Sequence, residues 1–100
     1  MSGVLYEVTA EVEPALVDVF VRYMTEKHIP QIYATGCFRR VRFDRAGPTT
    51  LRTSYQAATP ADLDRYLQHH TAAFRADFAV HFPAGVTVSR VTWGGIAAWE

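Results

Sequence analysis

His28-Ile29-Pro30-Gln31-Ile32-Tyr33-Ala34-Thr35-Gly36-Cys37-Phe38 is the stretch on which the fold turns. Helical apolar spacing precedes it and strand-like alternation follows it. Pro30 disfavours the α conformation at Ile29, so the helix before it is expected to stop or kink near His28. Gly36 reaches positive φ without strain, which suits a C-terminal cap ahead of a strand. The stretch therefore reads as a helix-to-strand junction, and the chain can be laid out on either side of it.

Upstream, residues 4–12 alternate, with Val4, Tyr6, Val8, Ala10 and Val12 on one face and Glu7, Thr9 and Glu11 on the other. That pattern predicts a half-buried strand. Pro14 suits the first turn of a helix that runs to about His28, with Leu16, Val17, Val19, Phe20, Tyr23 and Met24 as its apolar stripe. Pro30 to Thr35 is expected to add one short turn. Downstream, Cys37 to Arg45 alternates, with Cys37, Val41 and Phe43 facing one way and Phe38, Arg40 and Arg42 the other. Ala46-Gly47-Pro48 is turn chemistry, and Thr49 to Ala58 completes a hairpin whose polar face carries Arg52, Ser54 and Gln56.

Thr59-Pro60-Ala61-Asp62 reads as a capped helix start. About six turns follow, with the stripe Leu63, Tyr66, Leu67, His70, Phe74, Phe78 and Phe82, before Pro83 and Gly85 end them. Val86 to Trp93 is the last strand, ahead of a short tail, Ile96 to Glu100. The order strand, helix, strand, strand, helix, strand predicts one α+β domain over residues 1–100. It is the ferredoxin-like βαββαβ arrangement, a four-stranded antiparallel sheet with two helices on one face. An uncovered sheet face and exposed edges favour pairing of two copies, so a homodimer with a partly enclosed lumen is expected.

The chain is 49% hydrophobic and 13% aromatic, enough for a packed core. Lys+Arg and Asp+Glu each number 10, so no net field draws the protein to nucleic acid or to an anionic membrane. Arginines and aromatics mix in Phe38-Arg39-Arg40-Val41-Arg42-Phe43. The third strand, however, lacks the aromatic pattern of RNA-binding sheets of this topology, and nucleic-acid binding is not expected. Cys37 is the sole cysteine, and no membrane-spanning run or leader pattern precedes the first strand, so a cytoplasmic protein is expected. No dinucleotide, phosphate-loop or zinc motif occurs, so no cofactor or metal is expected.

Two groups of functional candidates remain. His28, at an expected helix C-terminus where the dipole favours its charged form, and Tyr66 are candidates for proton transfer. A small polar or anionic ligand is expected near His28, Tyr33, Arg40, Arg42 and Arg52. Cys37 falls on an inward face, where cysteine acts as a small hydrophobe.

The motif His28-Ile29-Pro30 followed by Ala34-Thr35-Gly36-Cys37-Phe38 resembles the bacterial family called domain of unknown function 4286. Leu5-Tyr6-Glu7-Val8-Thr9 and Asp62-Leu63-Asp64-Arg65-Tyr66-Leu67 fit the same family, and the resemblance spans essentially the whole chain. It implies a small dimeric α/β-barrel protein. That superfamily includes antibiotic-biosynthesis-type monooxygenases, haem-degrading enzymes and muconolactone-isomerase-like proteins. His28, Pro30, Gly36 and Phe38 carry over as motif positions without assigned roles. The readings are, in order, a homodimeric small-molecule binder, a cofactor-independent monooxygenase or isomerase, and a structural or interaction dimer.

Overall fold

The structure is a computed structural model and describes residues 3–99; Met1 and Ser2, and Glu100 at the end of the expected tail, lie outside the described residues. Strand β1 (Val4–Val12) is followed by a short 3₁₀ turn (Pro14–Leu16), helix α1 (Val17–Tyr23), a π-helical segment (Met24–His28) and helix α2 (Ile29–Tyr33). The hairpin β2 (Arg40–Ala46) and β3 (Thr50–Ala57), helices α3 (Pro60–His69) and α4 (Thr71–His81), and strand β4 (Val86–Gly94) complete the chain. The sheet order is β2-β3-β1-β4 with every pair antiparallel, which is the ferredoxin-like arrangement. No helix among the described residues is long and apolar enough to cross a membrane.

The alternation of β1 sets which face is covered. Tyr6 lies opposite Tyr55 on β3 and Thr92 on β4, and Val8 lies opposite Thr53 and Arg90. These positions share the side toward the helices. Leu5, Glu7 and Thr9 face the other way with Trp93, Val91 and Ser89.

Pro30 does not end the first helix. It lacks the N–H that would reach the carbonyl four residues back, and the π segment immediately before it takes up the misfit. The helix therefore continues to Tyr33, and His28 lies within it instead of at its end. Gly36 does adopt positive φ, +77°, and its N–H donates to the Tyr33 carbonyl at 3.2 Å. At the far end of the fold, Gly85 has φ +86°, and a Cβ there would come within 2.5 Å of Leu16 Cδ1. Only glycine fits that close approach between the β4 entry and the first helix.

Four sequence expectations are corrected. Phe38, expected on the open sheet face, is buried against Tyr55 and Tyr66 with ring centroids 5.1 and 4.9 Å away. Strand β2 begins only at Arg40, so the alternation cannot be extended back through Cys37 and Phe38, and both point inward. The second long helix breaks at His70 (φ −123°) into α3 and α4. Leu67, assigned to its buried stripe, is exposed. The start of α3 is as expected, with the Thr59 hydroxyl oxygen accepting from the Asp62 amide.

Two clusters form the core. Tyr6, Ile32, Cys37, Phe38, Tyr55, Leu63 and Tyr66 belong to one. Ala10, Val12, Val17, Phe20, Met24, Leu51 and Phe82 belong to the other.

Candidate functional site

Between the two clusters the packing is incomplete. A cavity of about 190 Å³ lies between the sheet and the helices. Its floor is the covered sheet face, including Tyr6, Val8 and Ala10 of β1 and Thr53 and Tyr55 of β3. Its roof combines Phe20, Met24, His28 and Ile32 from the first helix with Tyr66, Phe74 and Phe78 from the second pair. Protein interiors are otherwise close-packed, with few voids larger than a water molecule.

His28 reaches the cavity because the helix is locally unwound. Residues five apart on an α-helix point about 140° away from one another. Across the π segment the rings of Tyr23 and His28 instead stack, with centroids 5.4 Å apart. The Tyr23 hydroxyl donates to Asp77 Oδ2 at 2.7 Å and lies 3.3 Å from His28 Nδ1. Asp77 also accepts from Lys27 Nζ at 3.1 Å, and His81 Nδ1 is 3.7 Å from its carboxylate. These hydrogen bonds hold the Asp77 carboxyl below the usual carboxylate range, with Tyr23 the leading cause.

Burial dominates at His28 itself. It lowers the imidazole pKa to about 4, against the smaller opposing pull of Asp77. The dipole argument made for a charged His28 fails because no helix end lies there and desolvation penalises the cation. His28 is neutral at physiological pH.

At the other wall, Tyr6 lies 6.0 Å from Tyr55 and 6.4 Å from Tyr66, ring centre to ring centre. Burial pushes the Tyr66 phenol up to about 12 and the Tyr55 phenol higher, so both stay protonated. Arg75 and Arg90 also line the cavity and are exposed, which marks its solvent-facing side. Arg75 Nη2 donates to the Tyr6 hydroxyl at 3.5 Å. Neither arginine has an ion-pair partner among the described residues, and no carboxylate lines the cavity.

The residues singled out from sequence divide between the two sides of the sheet. His28 and Tyr66 share the cavity. Tyr33 is exposed on α2, in the helical layer. Arg40 and Arg42 border a shallow depression of about 160 Å³ on the open sheet face, with Leu5, Ser54 and Gln56. Arg52 lies on the same face, 3.7 Å from Glu7 and 3.4 Å from Asp44, while Arg42 pairs with Asp44 at 3.1 Å. Sequence reasoning missed Arg75 and Arg90 as site residues. Arg90 could have been found from its alternation with Val86 and Val88, since a charge on a covered face needs a reason.

A family model described as a domain of unknown function (DUF4286) matches residues 3–92. No curated protein matches the sequence. Among solved structures, a monooxygenase from Streptomyces coelicolor in complex with nanaomycin D superposes with a TM-score of 0.75 at 16% identity, over 99% of this chain and 92% of that one. A dimeric ferredoxin-like protein from an uncultured marine organism gives 0.80 at 9% identity, over 99% and 100%. SnoaB, a cofactor-independent oxygenase from Streptomyces nogalater, gives 0.70 at 16% identity, over 98% and 97%. At these identities the likeness is one of fold.

Proposed function

The chain belongs to the DUF4286 family, a domain of unknown function, and we propose that it binds a small, planar, largely apolar molecule with an anionic head between its sheet and its helices. The observation that carries this is the 190 Å³ cavity walled by aromatic rings. An apolar cavity of about 150 Å³ is enough to hold benzene, so the space here suits a body of one or two rings. The head group follows from charge. Arg75 and Arg90 stand on the solvent side without carboxylate partners among the described residues, and guanidinium matches a carboxylate in a bidentate fork.

Titration calorimetry with 1-naphthoate, naphthalene and 1-naphthylmethylamine tests the reading. Binding is expected in the order naphthoate, naphthalene, amine. Val88→Phe, which fills the cavity from β4, is expected to weaken naphthoate at least tenfold. No binding by any of the three, or equal binding by the variant, would refute the proposal.

A second reading, turnover of the bound molecule, is supported by His28 and Tyr66 facing the same cavity. Monooxygenases among the structural neighbours point the same way. Oxygen uptake followed in the same titrations, and its loss in His28→Ala, separates turnover from binding alone.

We also propose that two copies pair through their open sheet faces. Leu5, Val91 and Trp93 share that face, with Val91 and Trp93 exposed, and one neighbour of high structural similarity is a dimeric ferredoxin-like protein. Pairing would enclose the depression beside Arg40 and Arg42 and offer a second place for a small anion, with Arg52 held by its two carboxylates and Tyr33 on the opposite side of the sheet. Light scattering is expected to give about twice the 11.2 kDa chain mass; a monomer at 100 μM would discard the pairing. A cytoplasmic setting belongs to the same proposal, because the free thiol of Cys37 suits a reducing compartment.

A further inference from the structure

We infer that Tyr23 and Asp77 are positioning residues that lock His28 in its Nδ1–H tautomer, so that the cavity presents a bare Nε2 acceptor and selects molecules carrying a hydroxyl or N–H donor. The inference rests on the binding reading above and narrows its ligand to hydroxylated or N–H-bearing ring acids.

The argument is a count of protons. Tyr23 has one hydroxyl hydrogen, and Asp77 Oδ2 takes it at 2.7 Å. An ionised carboxylate accepts only, so the direction of that bond is fixed. The Tyr23 oxygen therefore has only lone pairs left for His28 Nδ1, which is 3.3 Å away. Two lone pairs would repel, so Nδ1 must carry the hydrogen. A neutral imidazole has one N–H, and Nε2 is left as the acceptor.

Geometry directs that acceptor. Tyr23 and Asp77 do not line the cavity, whereas His28 does. The Nδ1 edge thus belongs to the inter-helix network, and the rest of the ring is what a ligand meets. Phe74 and Phe78 close over the imidazole, with ring centroids 6.0 and 5.7 Å from it. Such apolar surroundings leave Nε2 without water when the cavity is filled by an apolar body. A ligand without a donor then leaves a buried acceptor unpaired, which is disfavoured. Lys27 and His81 lie on the far side, around the Asp77 carboxylate, and hold it ionised and oriented.

The test combines a spectroscopic and a binding readout. In ¹⁵N-histidine-labelled protein at pH 7.5, His28 is expected to show a protonated Nδ1 and an unprotonated Nε2. Asp77→Ala frees the Tyr23 hydroxyl to donate to Nδ1 and is expected to move the hydrogen to Nε2; Tyr23→Phe, which removes the hydroxyl altogether, is expected to lose the fixed tautomer. An Nε2–H signal in the wild type, or an unmoved tautomer in both variants, would overturn the inference.

In parallel, hydroxynaphthoate isomers are compared with their methyl ethers. At least one isomer is expected to bind about five- to tenfold more tightly than its ether, as for one hydrogen bond. That gap is expected to shrink by at least half in Tyr23→Phe, where either tautomer is open to the imidazole, while 1-naphthoate changes by less than about twofold. If naphthoate binds but no isomer outperforms its ether, the inference falls and the binding proposal stands. If nothing binds, the binding proposal falls, and ligand selection falls with it whatever tautomer the spectrum shows.

Discussion

Phe20→Ala is expected to lower the unfolding free energy by about 3–5 kcal/mol, the range for truncating a buried phenylalanine. Phe20 is 2% exposed and is the hub of the second core cluster. It meets Phe78 and Phe82 edge-on at 6.1 and 5.4 Å and Phe43 at 6.4 Å. It also borders the cavity. Removing its ring enlarges a void already present, and the neighbours, held by two helices and the sheet, have little room to collapse into it. The upper half of the range is therefore expected. For a domain of this size, that corresponds to a melting temperature lower by roughly 15–30 °C. Urea and thermal unfolding followed by circular dichroism measure both quantities. Phe20→Leu, which keeps most of the volume, is expected to lose less than half as much. A loss below 1 kcal/mol for Phe20→Ala would show that the two core clusters do not depend on this ring.

Mild acid is expected to weaken the fold before the carboxylates titrate. The His28 pKa is about 4 in the folded protein, against 6.5 for an unperturbed histidine. Between those values the unfolded chain holds a proton that the folded one does not. Stability therefore rises with pH across that window and falls as pH drops from about 6.5 towards 4. At 1.36 kcal/mol per pKa unit the ceiling is about 3 kcal/mol, and partial solvent contact at His28 brings the expected loss to about 2 kcal/mol. Asp77 acts in a lower window. Its depressed carboxyl keeps its stabilising bonds until the pH falls below the ordinary carboxylate range. Urea midpoints at pH 7.5, 6, 5 and 4.5 should fall for the wild type and stay nearly level for His28→Gln over the same range. Parallel curves would mean that His28 is free to protonate in the folded state.

The fold was legible because β1, β3 and the start of α3 obey local rules. Val4, Tyr6, Ala10 and Val12 are buried on one face, and Thr59 caps where its spacing to Asp62 requires. The first helix was harder, for a reason of phase. Ile32, 1% exposed, lies twelve residues after Phe20. On a regular α-helix that is about 120° out of phase, whereas absorbing one residue in a π turn brings it to about 20°. The apolar stripe therefore ends at Met24 in sequence although it continues in space. His28 was found as a candidate by its residue type, but its neutral state and its tie to Tyr23 depend on that same phase change. Arg90 was legible from its alternation with Val86 and Val88, but Arg75 was hidden because a charge within a helical apolar pattern ordinarily marks the solvent side. Its place beside a cavity follows from tertiary packing, which one-dimensional periodicity does not encode.

The space between the two core clusters also sets how the domain responds to compression. Unfolding eliminates internal voids, and the volume change scales with the void volume removed. The cavity of about 190 Å³ between the sheet and the helices is open on the side of Arg75 and Arg90, so only the part of it that water does not enter adds to that change. A bound molecule that fills this inner part takes its contribution away, and the occupied protein is expected to be the less pressure-sensitive of the two.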